Sequence, residues 1–126
     1  MKKWTPWRSV QNAEELAPGI ISYSTASHGG IWIDKKHQQK LEKYTINNWL
    51  DPSQWWEEDC DWAIPYVLFS TEIQTHGKPY KFTENLMAAY NIVISQHPEF
   101  YKQLPESYKQ LNEHCWILVK ISWWRL

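Results

Sequence analysis

A chain of 126 residues suffices for one domain with a sizeable core, and a formal net charge of -1 gives no overall field that would draw it to nucleic acid. No apolar run approaches the roughly 20 residues of a membrane-spanning helix, which argues against a membrane partner. Cys60 and Cys115 have no CxxC spacing and no signal peptide precedes them, so the expectation is a single reduced, cytoplasmic domain over residues 1–126, with both thiols as small buried side chains.

Tryptophan is the compositional outlier, with 10 residues at positions 4, 7, 32, 49, 55, 56, 62, 116, 123 and 124. Each indole buries on the order of 200 Å² and seeks a partner for its N–H, so a domain this small is expected to expose some of them. Exposed indoles anchor protein interfaces and stack on bases or sugars, which favours a binding surface.

In chain order, Val10 to Ala17 offers a short helix closed by Pro18-Gly19. Ile20 to Ala26 alternates β-branched and aromatic residues with a period near two and reads as a strand; Ile31-Trp32-Ile33 is its return partner. Ser27-His28-Gly29-Gly30 makes the turn of this hairpin, its glycines expected to supply positive φ. Asp34 caps a surface helix from Lys35 to Tyr44, and residues 45–54 form a loop. Trp62 to Phe69 reads as a buried helix capped by Asp59 or Asp61, and Gln74 to Lys81 as a loop. Thr83 is the expected N-cap of a helix over Glu84 to Gln96 that Pro98 stops, with short helices following at Glu99–Gln103 and from Pro105 to Glu113. Cys115 to Trp124 alternates as a strand. The order of elements gives an α+β domain, a small, mainly antiparallel sheet with helices packed on one face.

The stretch Trp55-Trp56-Glu57-Glu58-Asp59-Cys60-Asp61-Trp62 places four carboxylates among three indoles in eight residues. Charges that dense must be solvated, set at a helix N-terminus, matched by cations or partly protonated. The hard-oxygen set lacks the spacing of a calcium loop, and no His-Glu-x-x-His offers zinc ligands, so no metal is expected. His28 stands beside glycines that allow close backbone approach, and imidazole is the side chain suited to acid/base work. Against Glu57 or Asp59 it would form the oriented imidazole needed for acid/base catalysis, with the Gly29 and Gly30 amides as an anion site. His37, His76, His97 and His114 read as surface or capping residues, and no phosphate-binding or dinucleotide fingerprint indicates a cofactor.

The pair of motifs Ser27-His28-Gly29-Gly30-Ile31 and Trp56-Glu57-Glu58-Asp59-Cys60-Asp61-Trp62-Ala63 resembles an uncharacterised domain family carried by phages, prophages and plasmids. The resemblance covers roughly residues 19–70 and implies a mobile-element accessory protein, with no activity, cofactor or catalytic residue to transfer. The leading expectation is a non-enzymatic protein, acting as a homo-oligomer, that binds a host protein stoichiometrically in the host cytoplasm through a surface of exposed Trp and acidic side chains, as an inhibitor of a host defence system. Its binding residues would be Ser27, His28, Gly29, Gly30, Trp56, Glu57, Glu58, Asp59, Asp61 and Trp62. The competing expectation is a small enzyme or ligand- or nucleotide-binding domain built on His28, Glu57 or Asp59, and the Gly29-Gly30 amides.

Overall fold

The computed structural model of the chain describes residues 2–44, 54–77 and 81–113. It opens with a two-stranded hairpin, β1 (Trp4–Thr5) and β2 (Arg8–Ser9), in which the Thr5 hydroxyl donates to the Arg8 carbonyl. A four-stranded antiparallel sheet follows in the order β3 (Asn12–Ala17), β4 (Ile20–Ser24), β5 (Gly29–Ile33), β6 (Trp55–Glu57). Helix α1 (Lys35–Glu42) lies between β5 and β6 in sequence. Helices α2 (Ala63–Leu68), α3 (Ser70–Gly77), α4 (Phe82–Gln96) and α5 (Pro98–Gln103), then a helical run over 106–113, make the domain α+β, the class expected from the sequence.

Strand residues paired across the sheet share a face and neighbours alternate, so the registers sort the side chains into two sets. Ile20, Ser22, Ser24, Gly29, Ile31, Ile33 and Trp56 lie on the inner face. There Ile20, Ile31, Ile33 and Trp56 join Ile64, Val67, Ile73, Leu86, Tyr90 and Val93 of the helices in one buried core. Ile21, Tyr23, Gly30, Trp32, Trp55 and Glu57 lie on the outer face. The N-terminal hairpin covers part of it: Trp7 meets Trp55 edge-on at 5.5 Å, the Lys2 amide donates to the Tyr23 hydroxyl at 3.0 Å, and the Lys2 ammonium sits 4.9 Å from the Trp32 ring. The helices therefore pack on one face, and indoles that composition alone would place at an interface are spent on the other.

Several local expectations are corrected. Residues 12–17 are strand rather than helix, although Ala13-Glu14-Glu15 is good helical sequence. Gly19, at φ 83°, closes a tight turn that pairs this segment with β4, and that pairing overrides local propensity. Gly29 and Gly30 do not have positive φ and do not make the turn; they belong to β5. Thr25 organises the turn instead, its side chain accepting from the His28 amide at 3.1 Å and donating to the His28 carbonyl at 3.0 Å. Glycine is needed at position 30 for close approach, since a Cβ there would stand 2.2 Å from the Trp56 carbonyl oxygen and 2.5 Å from the Trp7 ring.

Asp34 caps α1 as expected, accepting from the His37 amide at 2.9 Å. The helix is not a purely surface one, because His37, Gln38 and Leu41 are buried. Gln38 carries its polarity inward to accept from the Trp56 indole at 3.3 Å. Helix α2 is present, but Trp62 stands at its N-cap with no side-chain cap bond, so neither Asp59 nor Asp61 caps it. Gln74 to Gly77 continues α3 rather than forming a loop. Helix α4 begins one residue before Thr83, behind a left-handed Lys81. The expected C-terminal strand over 115–124 and the loop at 45–53 lie outside the described residues.

Candidate functional site

Pairing of β5 with β6 sets the hairpin end against the acidic stretch: Gly30 stands opposite Glu57, and the Glu58 amide donates to the Gly29 carbonyl at 2.9 Å. Two stretches almost 30 residues apart in sequence thus share one sheet edge. The Trp62 amide donates to the Glu57 carbonyl at 2.8 Å, folding Glu58 to Asp61 into the turn that starts α2. From the far side, His97 at the end of α4 brings Nε2 to 3.3 Å from the Cys60 carbonyl and 3.9 Å from an Asp61 carboxylate oxygen.

Period-two alternation divides the carboxylates. Glu57 points to the outer face with His28, whose Nδ1 lies 3.9 Å from Glu57 Oε1; both side chains are substantially exposed. Glu58, one residue on, turns to the inner side, and its Oε2 lies 3.0 Å from where a Cβ on Gly29 would be. Asp59 is exposed and Asp61 half-buried. Burial pushes the Glu57 carboxyl above its usual value, and the nearby Asp59 and Asp61 charges add to that, with His28 opposing. Among the described residues, no lysine or arginine forms an ion pair with these four carboxylates. Among the described residues, two histidines approach them, His28 at Glu57 and His97 at Asp61.

The other residues singled out from the sequence fall as follows. Ser27 is exposed at the tip, Gly29 and Gly30 are buried in the sheet, Trp56 is core at 2% exposure, and Trp62 is half-buried. Extended backbone at Gly29 and Gly30 lacks the alternating geometry of an amide nest, and a carboxylate lies across Gly29, so an anion is disfavoured there. Cys60 is a free, half-buried thiol. Of the described tryptophans, only Trp4 is strongly exposed, at 70%.

Two arrangements escaped the sequence reading. The first is a cavity of about 350 Å³ on the inner side, walled by Glu14 of β3, Ser22 and Ser24 of β4, Glu58, and Trp62, Tyr66 and Asn85 of the helical layer. Trp62 and Tyr66 meet edge-on at 5.3 Å there. Tyr66 is only 3% exposed, and its hydroxyl has no partner at hydrogen-bonding geometry. Burial pushes the phenol up to about 12, the Asn85 side chain opposes this and Glu14 reinforces it. The available signal was a tyrosine inside the apolar run Ala63 to Phe69, where a hydroxyl needs a reason.

The second is His37, whose Nδ1 lies 2.6 Å from Asp34 and whose Nε2 lies 2.8 Å from Glu72, with the ring edge-on to Phe69 at 4.7 Å. Burial works against the Asp34 charge, but the His37 amide and ring together outweigh it and hold that carboxyl below its ordinary value. This ring is enclosed and joins α1 to α3, so it is a fastening between elements. The surface assignment of His37 is thereby corrected; His76 is exposed, 3.0 Å from Glu15.

Fold and site together define a small α+β domain with an acidic sheet edge and a polar inner cavity. The chain belongs to the family described as domain of unknown function DUF7007, whose model matches residues 1–116. No curated protein and no solved structure matches it. Among the described residues, no helix is long and apolar enough to cross a membrane, and no group of three or more His, Cys, Asp or Glu side chains is arranged to hold a metal ion.

Proposed function

We propose that this domain is a mobile-element accessory protein that acts in the host cytoplasm by stoichiometric binding to a host protein, as an inhibitor of a host defence system. The supporting observation is the uncompensated acidic edge. Glu57, Glu58, Asp59 and Asp61 are held together by strand pairing and the His97 contact, without a lysine or arginine partner among the described residues. A partner surface carrying arginine or lysine gains charge-assisted bonds there and relieves the repulsion from Asp59 and Asp61 that adds to burial in raising Glu57. The tryptophans support the sheet that presents these acids; Trp7 and Trp55 brace the outer face, and Trp56 anchors the inner one.

The test is co-purification of tagged protein from a host lysate. Recovery of a defined protein at a fixed ratio, lost on Glu57→Gln/Asp59→Asn/Asp61→Asn and weakened at high salt, supports the reading. A salt-independent result, or the same recovery with the triple variant, opposes it.

A second reading rests on the 3.9 Å approach of His28 Nδ1 to Glu57. One rotamer change or one bridging water closes that gap, giving an imidazole oriented by a carboxylate on an exposed edge. Biological activity that survives His28→Ala unchanged removes this alternative.

A further inference from the structure

The N-terminal hairpin is a basic end on a chain that is slightly acidic as a whole. Lys2, Lys3 and Arg8 stand in a stretch whose first carboxylate is Glu14. Lys3 and Arg8 are exposed, and among the described residues neither they nor Lys2 form an ion pair; the lysine or arginine that does is Lys102, with Glu99. Trp4, among these cations, is 70% exposed.

The ribbon that carries these side chains is fixed at several points. The Val10 amide donates to the Lys3 carbonyl at 3.0 Å, and the Thr5 hydroxyl accepts from the Trp7 amide at 3.0 Å while donating to the Arg8 carbonyl. Trp7 lies against Gly30 and Trp55, and Lys2 is tied to Tyr23 and Trp32, so the hairpin is held on the sheet by one of its indoles and leaves the other, Trp4, to solvent. Arg8 keeps φ 97°, a conformation that residues other than glycine rarely adopt and that the surrounding bonds must hold. Trp4 pairs with Ser9, which places Lys3 beside it in the same strand and Arg8 diagonally across the pair. A ribbon two strands wide lets both long stems reach round to the indole.

The surroundings of Trp4 decide what it meets. A hot-spot indole in a protein interface sits in an apolar core, ringed by contacts that exclude water. Here its neighbours along and across the ribbon are Lys3, Thr5, Ser9 and Arg8, and the only other exposed large apolar side chain among the described residues is Ile94 of α4, in the helical layer behind the sheet. A single indole likewise gives too little apolar area to hold a membrane surface. An open ring flanked by unpaired cations matches a base and its phosphates. We propose that the N-terminal hairpin binds single-stranded nucleic acid, with Trp4 stacking on a base and Lys2, Lys3 and Arg8 meeting the flanking phosphates. The net charge of -1 supplies no long-range attraction, so the contact is short and local, about three phosphates. This role is independent of host-protein binding at the acidic edge.

The experiment follows the fluorescence anisotropy of a labelled oligothymidylate of about 12 nucleotides, titrated with the full-length protein at salt from about 20 to about 150 mM. The expected result is saturable binding whose log K falls against log salt with a slope of about -2, the value for three cations on a single strand. Trp4→Ala should weaken binding about tenfold through the lost stacking. Lys3→Gln/Arg8→Asn should weaken it as well and bring the slope to about -0.7, asparagine being tolerant of positive φ. Trp4, Lys3 and Arg8 are exposed, so both variants should keep the wild-type unfolding transition. Binding to a duplex of the same length should be insensitive to Trp4→Ala, because its base faces are closed in the stack, and vesicles containing phosphatidylserine test the membrane alternative. Absence of saturable binding to the oligonucleotide, an affinity for it that Trp4→Ala leaves unchanged, an equal effect of that variant on single strand and duplex, or binding confined to the vesicles would overturn the proposal.

Discussion

Gly30 is pressed between the backbone of Trp56 and the indole of Trp7, so that a Cβ at this position would come 2.2 Å from the Trp56 carbonyl oxygen. A strand carbonyl cannot swing aside as a flexible side chain can. Gly30→Ala must either push β6 away from β5 or expel Trp7 from the outer face, and an overpacked site of this kind costs roughly 1–3 kcal/mol. Gly29→Ala is the internal control: its Cβ would meet the Tyr23 carbonyl and a Glu58 oxygen, each at 3.0 Å, a tighter-than-usual but smaller conflict. Urea unfolding should rank wild type above Gly29→Ala and Gly29→Ala above Gly30→Ala. The reverse order of the two variants would mean that β6 does not lie where described.

His37 ties the start of α1 to α3 through carboxylates on both sides of its ring. An imidazolium donates to both, a neutral ring to only one. His37→Ala removes both contacts and the ring packed on Phe69, and the expected loss is about 2–3 kcal/mol. Glu72→Ala alone should cost less, because Glu72 is 44% exposed and His37 keeps Asp34. A double-mutant cycle between positions 37 and 72 should give about 0.5–2 kcal/mol of coupling; additive effects would show that the contact contributes nothing. The sign for Asp34 follows from its depressed pKa. Its contribution is present above the ordinary carboxylate value of 3.8 and is lost as pH falls through the folded-state value. Asp34→Asn should therefore flatten the acid limb of the stability curve below about pH 4.

These two sites also mark where sequence reading succeeds and fails. The hairpin of β4 and β5 was legible because Ile20 to Ala26 alternates strongly, and α4 because its apolar spacing is helical and Pro98 follows. Asp34 announced its cap by standing before a polar helical run. Segment 12–17 was not legible, since its helix-favouring composition yields to pairing with β4, a long-range gain that no local window contains. The Gly29-Gly30 pair was misread for a related reason: glycine signals both positive φ and close approach, and only the position of Trp56 and Trp7 distinguishes them. The adjacency of His28 and the acids is fixed by the β5–β6 register, with α1 intervening in sequence, and no spacing rule encodes it. Alternation then divides Glu57 from Glu58, so a run that looks like one cluster serves two faces of the sheet.

Glu57 should oppose folding at neutral pH. A carboxyl whose folded pKa lies above its unfolded value favours the protonated form, so its stabilising contribution is complete below the ordinary value of 4.5 and disappears as pH rises through the folded value. Glu57→Gln is therefore expected to stabilise the protein slightly at pH 7, by up to roughly 0.5 kcal/mol after solvent screening of this partly exposed group. The gain should vanish at about pH 3.5, where the wild-type carboxyl is itself largely protonated. Thermal unfolding at both pH values measures it. Destabilisation by Glu57→Gln at pH 7 would indicate instead that the His28 contact outweighs the repulsion from Asp59 and Asp61.

The phenol of Tyr66 makes the same argument at the alkaline end. Its pKa is pushed up to about 12 from an ordinary 10.0, chiefly because burial disfavours the phenolate. The folded state thus holds its proton more tightly than the unfolded chain does. Stability from this group is fully present below pH 10 and drains away as pH rises toward 12, by roughly 2–3 kcal/mol for a shift of that size. Tyr101 and Tyr108 are shifted in the same direction, mainly by burial, so the wild-type profile alone does not isolate Tyr66. The difference from Tyr66→Phe does. At pH 8 the variant loses only an unpartnered hydroxyl and should match or exceed wild type within about 1 kcal/mol. Between about pH 9.5 and 11.5 the gap should widen in favour of phenylalanine, as wild type alone bears the cost of ionising this buried ring. Parallel profiles across that interval would show that the hydroxyl reaches solvent or a partner and is not a buried, unsatisfied group.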